Sequence, residues 1–291
     1  MRTQSVVSER SAPHPPVKHR AVSVLLVVIT AAVVVLAITL GVSRAHGTPA
    51  PSTPTAHAAG PTGRTLLQSV SQVDPAVLVA VGSGGVADPF TALTEAPALV
   101  DANNLPIVFF VGSESCGPCA AERWSLVVAL SRFGTFSHLP LFVTGSGPAS
   151  SRFSTFTFIG ATYTSDYVAL AGFEEADSAG KPLETLTTKG LQLLGTYDAP
   201  PYVAASQKEG IPWLDVANRY ALQGSSYSPS LIVGLDWGHI ATRLSSADDP
   251  VTRAIVGSAN YLTAAICKAT SLQPASVCSA APVAGMIKQL P

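Results

Sequence analysis

Charge is scarce in this chain: 12% of its 291 residues are Asp, Glu, Lys or Arg, and the formal net charge is −1. No basic surface is left on which a nucleic acid could dock, so that partner is not expected. Catalytic signatures are missing too. There is no Gly-x-Ser-x-Gly elbow for acyl transfer. The glycine cluster Gly82-Ser83-Gly84-Gly85 lacks the third glycine of a dinucleotide fingerprint and the Lys-Ser/Thr of a phosphate loop, which leaves a plain turn. His138 and His239 have no partner at ligand or catalytic spacing. Internal repeats are absent, and cysteine is limited to 4 residues.

What the chain does contain is, first, an uncharged apolar run. Ala21 to Val42 consists of Val, Leu, Ile, Ala, Thr, Ser and Gly, and about 20 such residues cross a bilayer as a helix. Residues 1–20 are therefore expected to be a cytoplasmic tail and residues 21–43 a transmembrane anchor. Arg2, Arg10, Lys18 and Arg20 precede the run, whereas only Arg44 follows before Arg64. That asymmetry places the N-terminus in the cytoplasm and the remainder outside, in the cell membrane's extracytoplasmic space. A cleaved signal peptide is the rival, with Ser43 and Ala45 near a cut, but its apolar region would span about 7–15 residues. Residues 44–65, with Pro49, Pro51, Pro54 and Pro61 among Thr, Ala, Ser and Gly, are too poor in large apolar side chains for a core and form an expected linker. Residues 66–291 remain as one extracytoplasmic domain.

Second, two cysteines stand three residues apart in Ser115-Cys116-Gly117-Pro118-Cys119-Ala120. The apolar Pro106 to Val111 predicts a buried strand, Gly112 to Ser115 a turn, and Ala120 to Leu130 a helix, so the pair sits at a helix start. The first N–H groups of a helix lack intrahelical partners and that end is partly positive, which favours a thiolate. The thiolate is the nucleophile, so Cys116 is expected to have a lowered pKa, with Cys119 one turn later able to close a disulfide with it. Pro118 costs little in a first turn. Half of a zinc site and a purely structural bridge remain alternatives; the former lacks four ligands, because Cys267 and Cys278 lie apart with no neighbouring His. No metal and no cofactor is expected. Glu122, three residues after Cys119, is a candidate proton relay, against the plainer role of complementing the helix dipole.

Elsewhere the patterning predicts a strand over Val77 to Val81, a helix over Ala92 to Ala102, and a strand over Leu139 to Thr144 that completes a parallel β-α-β unit with Ile107 to Val111. Strands are expected over Thr155 to Ile159 and Tyr167 to Phe173, and a helix near Leu183 to Leu194. Apolar runs flanking Ala217-Asn218-Arg219 predict a hairpin. Asp236 is expected to cap a helix through Leu244, and Pro250 to open one through Cys267.

Strand, Cys-x-x-Cys at a helix start, strand, Ile-Pro strand, hairpin and closing helix together resemble the thioredoxin fold. More closely, Cys116 to Trp124, the following Leu130-Ser131-Arg132-Phe133-Gly134-Thr135-Phe136, Ile211-Pro212-Trp213-Leu214-Asp215 and the late Cys267 and Cys278 resemble an uncharacterised thioredoxin-like family, domain of unknown function 929, over roughly Val77 to Cys278. The resemblance implies an α/β thioredoxin-like fold, a central mixed sheet flanked by helices, with an inserted segment and a C-terminal helical extension. It also implies that Cys116 attacks and Cys119 resolves. Pro212 would be a cis-proline opposite the disulfide, with the Ile211 backbone beside it pairing with a substrate chain; Ser228-Pro229 is a second cis candidate. Trp213 reads as core or rim packing, with the alternative that, next to Pro212, it lines a peptide groove for the substrate.

Two departures stand out. Ser115 occupies the place of the thioredoxin tryptophan, and no acid occurs in Ile107 to Gly112, so Cys119 lacks the usual buried proton partner. An even cysteine count in an exported domain favours a structural disulfide between Cys267 and Cys278, with a second redox pair as the alternative. The expected function is a membrane-anchored thiol-disulfide oxidoreductase acting on exported protein thiols and disulfides and reset by a membrane or soluble redox partner. A non-catalytic binding or assembly module, or a cell-envelope copper chaperone, stands as the alternative.

Overall fold

A computed structural model describes residues 63–94, 96–144 and 147–291. The expected cytoplasmic tail, the membrane anchor and nearly all of the linker lie outside the described residues. Among those described, no helix is long and apolar enough to cross a membrane.

Helix α1 (Gly63–Ser71) buries Leu66 and Val70. Helix α2 (Pro75–Val81) occupies the stretch expected to be a strand. The reason is its start: Asp74 accepts a hydrogen bond from the Ala76 N–H at 2.8 Å, and Pro75 fits the first turn, signals that outweigh the apolar β-branched run behind them. The glycine turn then follows as expected. Strand β1 (Thr91–Ala92) is two residues long, and the helix expected over 92–102 does not form. Pro97 interrupts that segment, and the Leu93 and Leu99 N–H groups donate to the carbonyls of Arg219 and Ala217 instead of to their own turn.

Strand β2 (Ile107–Gly112) and helix α3 (Gly117–Leu130) match the expected strand and Cys-bearing helix. After them come β3 (Gly134–His138), β4 (Leu141–Val143), β5 (Ser154–Phe156), β6 (Thr162–Ser165), β7 (Ala169–Glu174) and α4 (Thr188–Tyr197). The C-terminal part holds β8 (Trp213–Val216), β9 (Tyr220–Gln223), α5 (Trp237–Arg243), α6 (Pro250–Ala269), α7 (Ala275–Cys278) and α8 (Val283–Met286).

The central sheet has five strands in the order β1-β9-β8-β2-β7, with β7 parallel to β2 and the others antiparallel to their neighbours. The expected parallel partner at Leu139 to Thr144 is thus wrong: β4 pairs antiparallel with β5 in a separate ladder, and β3 pairs with β6 in another. A glycine on β7 lets an aromatic ring pack close to the sheet. Gly172 admits the Phe158 ring, from which an added Cβ would stand 2.8 Å, and Phe158 meets Phe110 edge-on at 5.3 Å.

Side chains along β2 alternate between two cores, as a strand covered on both faces requires. Val108 and Phe110 join a cluster with Trp124, Leu130 and the apolar face of α6, while Phe109 and Val111 join one with Leu193, Leu194 and Trp213. Helix α4 begins later than expected because Thr187, not a residue near Leu183, caps it through the Gly190 N–H at 3.1 Å. The expected hairpin forms, with Ala217 at φ 58° and Asn218 at φ 55°, the left-handed pair a tight β-turn needs. Asp236 and Asp249 cap α5 and α6. A disulfide joins Cys267 at the end of α6 to Cys278 in α7, both buried.

Candidate functional site

Strand β2 ends at Gly112, a short turn follows, and Cys116 becomes the N-cap of α3. Its sulfur accepts the otherwise unpartnered Cys119 N–H at 3.0 Å, so a backbone donor at the positive helix end points at the sulfur. Cys116 and Cys119 form a disulfide with Cα atoms 5.2 Å apart. Their exposures differ: Cys116 is half-buried, Cys119 is 0% exposed. Of the pair, Cys116 alone keeps exposed surface.

Opposite lies the Ile211–Pro212 peptide bond, which is cis, whereas Ser228–Pro229 is not among the cis bonds. The Ile211 carbonyl oxygen stands 3.9 Å from the Cys116 sulfur, and among the described residues the Ile211 N–H takes no hydrogen-bond partner. Trp213 does not line this face. It is 0% exposed, and its indole meets Phe109 edge-on at 5.9 Å inside the second core. Half-buried Phe153 takes its place at the rim: its ring lies against Gly117, where an added Cβ would stand 2.7 Å from it. A cavity of about 220 Å³ lined by Gln207, Gly210, Ile211, Gln223 and Gly224 adjoins the cis bond.

Glu174 and Glu122, both 0% exposed, pack around α3. Glu174, at the end of β7, pairs with Arg123, whose Nε donates to Oε1 at 2.9 Å and whose Nη2 reaches both Oε2 and, at 3.0 Å, the Ser113 carbonyl. Burial raises the Glu174 pKa against the pull of Arg123. This pair braces the turn that carries Cys116. Glu122 is 0% exposed, one turn beyond Cys119, and accepts from the Ser226 N–H at 2.8 Å and the Ser226 hydroxyl at 3.1 Å. Burial pushes its carboxyl up to about 7, with the two Ser226 bonds pulling the other way. Asp215 on β8 is likewise pushed by burial to about 7.

The structure thus brings Cys116, Cys119, Ile211 and Pro212 together, keeps Cys267 and Cys278 as a separate buried bridge, and excludes Trp213 from the surface. Sequence reasoning missed Ser226, Phe153 and the Arg123–Glu174 pair. Glu174 has one local signal, a carboxylate ending an otherwise apolar strand; Ser226 has none, because its partner is 104 residues away.

No curated protein and no solved structure matches the chain. A family model described as Domain of unknown function (DUF929) matches residues 97–268, which contain β2, the Cys pair, the cis-proline strand and most of α6, and on that match the chain belongs to the DUF929 family.

Proposed function

We propose that the chain is a membrane-anchored, extracytoplasmic thiol-disulfide oxidoreductase with a thioredoxin-like core, acting on exported proteins. The carrying observation is the asymmetric pair: half-buried Cys116 at the positive end of a 14-residue helix, bonded to fully buried Cys119, with its sulfur facing the Ile211 carbonyl. The thioredoxin-like reading draws support from the central strand leading to the Cys helix, its parallel neighbour β7, and an antiparallel hairpin entered through the cis-proline. Membrane anchoring and orientation rest on the apolar run Ala21 to Val42 and its flanking charges.

With the pair reduced, the Cys116 thiolate attacks one sulfur of a substrate disulfide. A mixed disulfide forms and the other substrate sulfur leaves as a thiolate. Cys119, deprotonated, then attacks the Cys116 sulfur, closes the internal disulfide and releases the second substrate thiolate. Two electrons pass to the substrate, and a dithiol partner restores the pair. Run in reverse, the same steps oxidise a substrate dithiol. The unpartnered Ile211 N–H and the Ile211 carbonyl are placed to hold an extended substrate backbone during attack.

The test compares the full chain, purified in detergent, with Cys116→Ser and Cys119→Ser in insulin reduction and dithiol oxidation. Wild type is expected to turn over, Cys116→Ser to be inert, and Cys119→Ser to accumulate mixed disulfides. Equal behaviour of wild type and Cys116→Ser would overturn the enzyme reading in favour of a stapled binding module.

A further inference from the structure

Resolution requires Cys119 to lose a proton, yet Cys119 is 0% exposed and the strand beneath it, Ile107–Gly112, carries no acid. Water cannot take that proton directly. The carboxyl placed nearest along the chain is Glu122, three residues on, and helix side chains lean toward the N-terminus, so Glu122 leans over the turn that holds Cys119.

We propose that Glu122 is the proton acceptor for Cys119, that Ser226 is the residue positioning it, and that the cleft beyond Ser226 is the proton's route to solvent. The inference rests on the oxidoreductase reading of the Cys pair. Ser226 holds the carboxylate with both its N–H and its hydroxyl. It sits on the loop leaving β9, which is tied to the site two residues earlier, where the Gly224 N–H donates to the Pro212 carbonyl at 2.8 Å. The same serine lines a cleft of about 350 Å³ together with Gly84, Gly85, Tyr227 and Arg253. A fully buried acid is thereby one residue from open solvent.

The surrounding groups suit the task. Tyr227, on the loop, donates its hydroxyl to the Ala121 carbonyl at 2.8 Å and is held neutral by burial. Arg253, exposed on α6, stands across the cleft, and Arg123 on α3 itself is committed to Glu174. Among the described residues no cation therefore neutralises Glu122, and its carboxyl, with a pKa of about 7, both accepts and returns a proton near neutral pH. The step balances: the Cys119 thiol gives its proton to the Glu122 carboxylate, the thiolate displaces the substrate sulfur from Cys116, and the protonated carboxyl later gives the proton to water in the cleft. In the oxidising direction Glu122 supplies it.

Ellman's reagent added to the reduced full chain in detergent releases thionitrobenzoate twice, first by Cys116 attack and then by Cys119 resolution. In stopped flow the second phase of wild type is expected to rise with pH through an inflection near 7. Glu122→Gln, which keeps the shape and an acceptor for Ser226, is expected to slow that phase by about 100-fold at neutral pH and to abolish the inflection, leaving the first phase unchanged. Ser226→Ala, which removes one hydrogen bond from the charged form, is expected to move the inflection upward. A wild-type second phase and pH profile in Glu122→Gln would overturn the relay while leaving the oxidoreductase intact; an unmoved inflection in Ser226→Ala would overturn its positioning role. Absence of the first phase in wild type would instead sink the oxidoreductase reading itself.

Discussion

Single buried carboxyls make this domain's stability depend on pH in an unusual direction. Asp215 accepts the Asn218 N–H at 2.6 Å, which fixes the hairpin turn, but its other oxygen, Oδ2, is buried with no partner. Burial lifts its pKa from 3.8 to about 7. The folded chain thus binds a proton that the unfolded chain has already lost between those values, so stability is fullest below pH 4 or so and declines as pH rises through about 7. Asp215→Asn keeps an acceptor for Asn218 and removes the charge. It is expected to raise unfolding stability at pH 8 by on the order of 2–4 kcal/mol and to change it little at pH 4. Urea midpoints at the two pH values measure this, and part of the wild-type decline should survive because Glu122 titrates in the same range. An equal effect at both pH values would show that Asp215 is not the titrating group.

Between elements, the closest approach is that of α6 to the glycine turn after α2. An added Cβ on Gly257 would stand 2.2 Å from the Ser83 carbonyl oxygen, and one on Gly84 would stand 1.9 Å from the Arg253 carbonyl oxygen. Both obstacles are backbone, so no rotamer change relieves them. Gly257→Ala is expected to cost roughly 1–3 kcal/mol, read from the denaturation midpoint. Unchanged stability would mean that the turn gives way freely. Legibility at this scale followed the strength of local signals. Asp236 and Pro250 announced their helices, and the run around Asn218 announced its hairpin, because caps, first-turn prolines and left-handed turns are local chemistry. The apolar run before Val81 was misread because its periodicity is silent between strand and helix, and the Asp74-Pro75 start decides it. The parallel partner of β2 is not legible because β7 lies about 62 residues further on, beyond any local window.

For the molecule as a whole, the candidate site was legible where motif and spacing coincide, in Cys116, Cys119 and Pro212, and illegible where remote loops border it, in Ser226 and Phe153. The same contrast separates the two disulfides. One includes the half-buried Cys116; the other joins α6 to α7 with Cys267 0% and Cys278 4% exposed. A thiolate must reach a disulfide sulfur in line to reduce it, so access alone orders their reduction. With rising dithiothreitol under native conditions, alkylation and peptide mapping are expected to label Cys116 and Cys119 first, and Cys267 and Cys278 only once denaturant opens the C-terminal helices. Replacing both late cysteines by Ala should leave thiol exchange at Cys116 intact while lowering stability by about 2–4 kcal/mol, because the bridge restrains the unfolded chain rather than the site. Labelling of Cys267 and Cys278 in step with the first pair would show that the C-terminal helices open readily in the folded molecule, and would return the second disulfide to consideration as a redox pair.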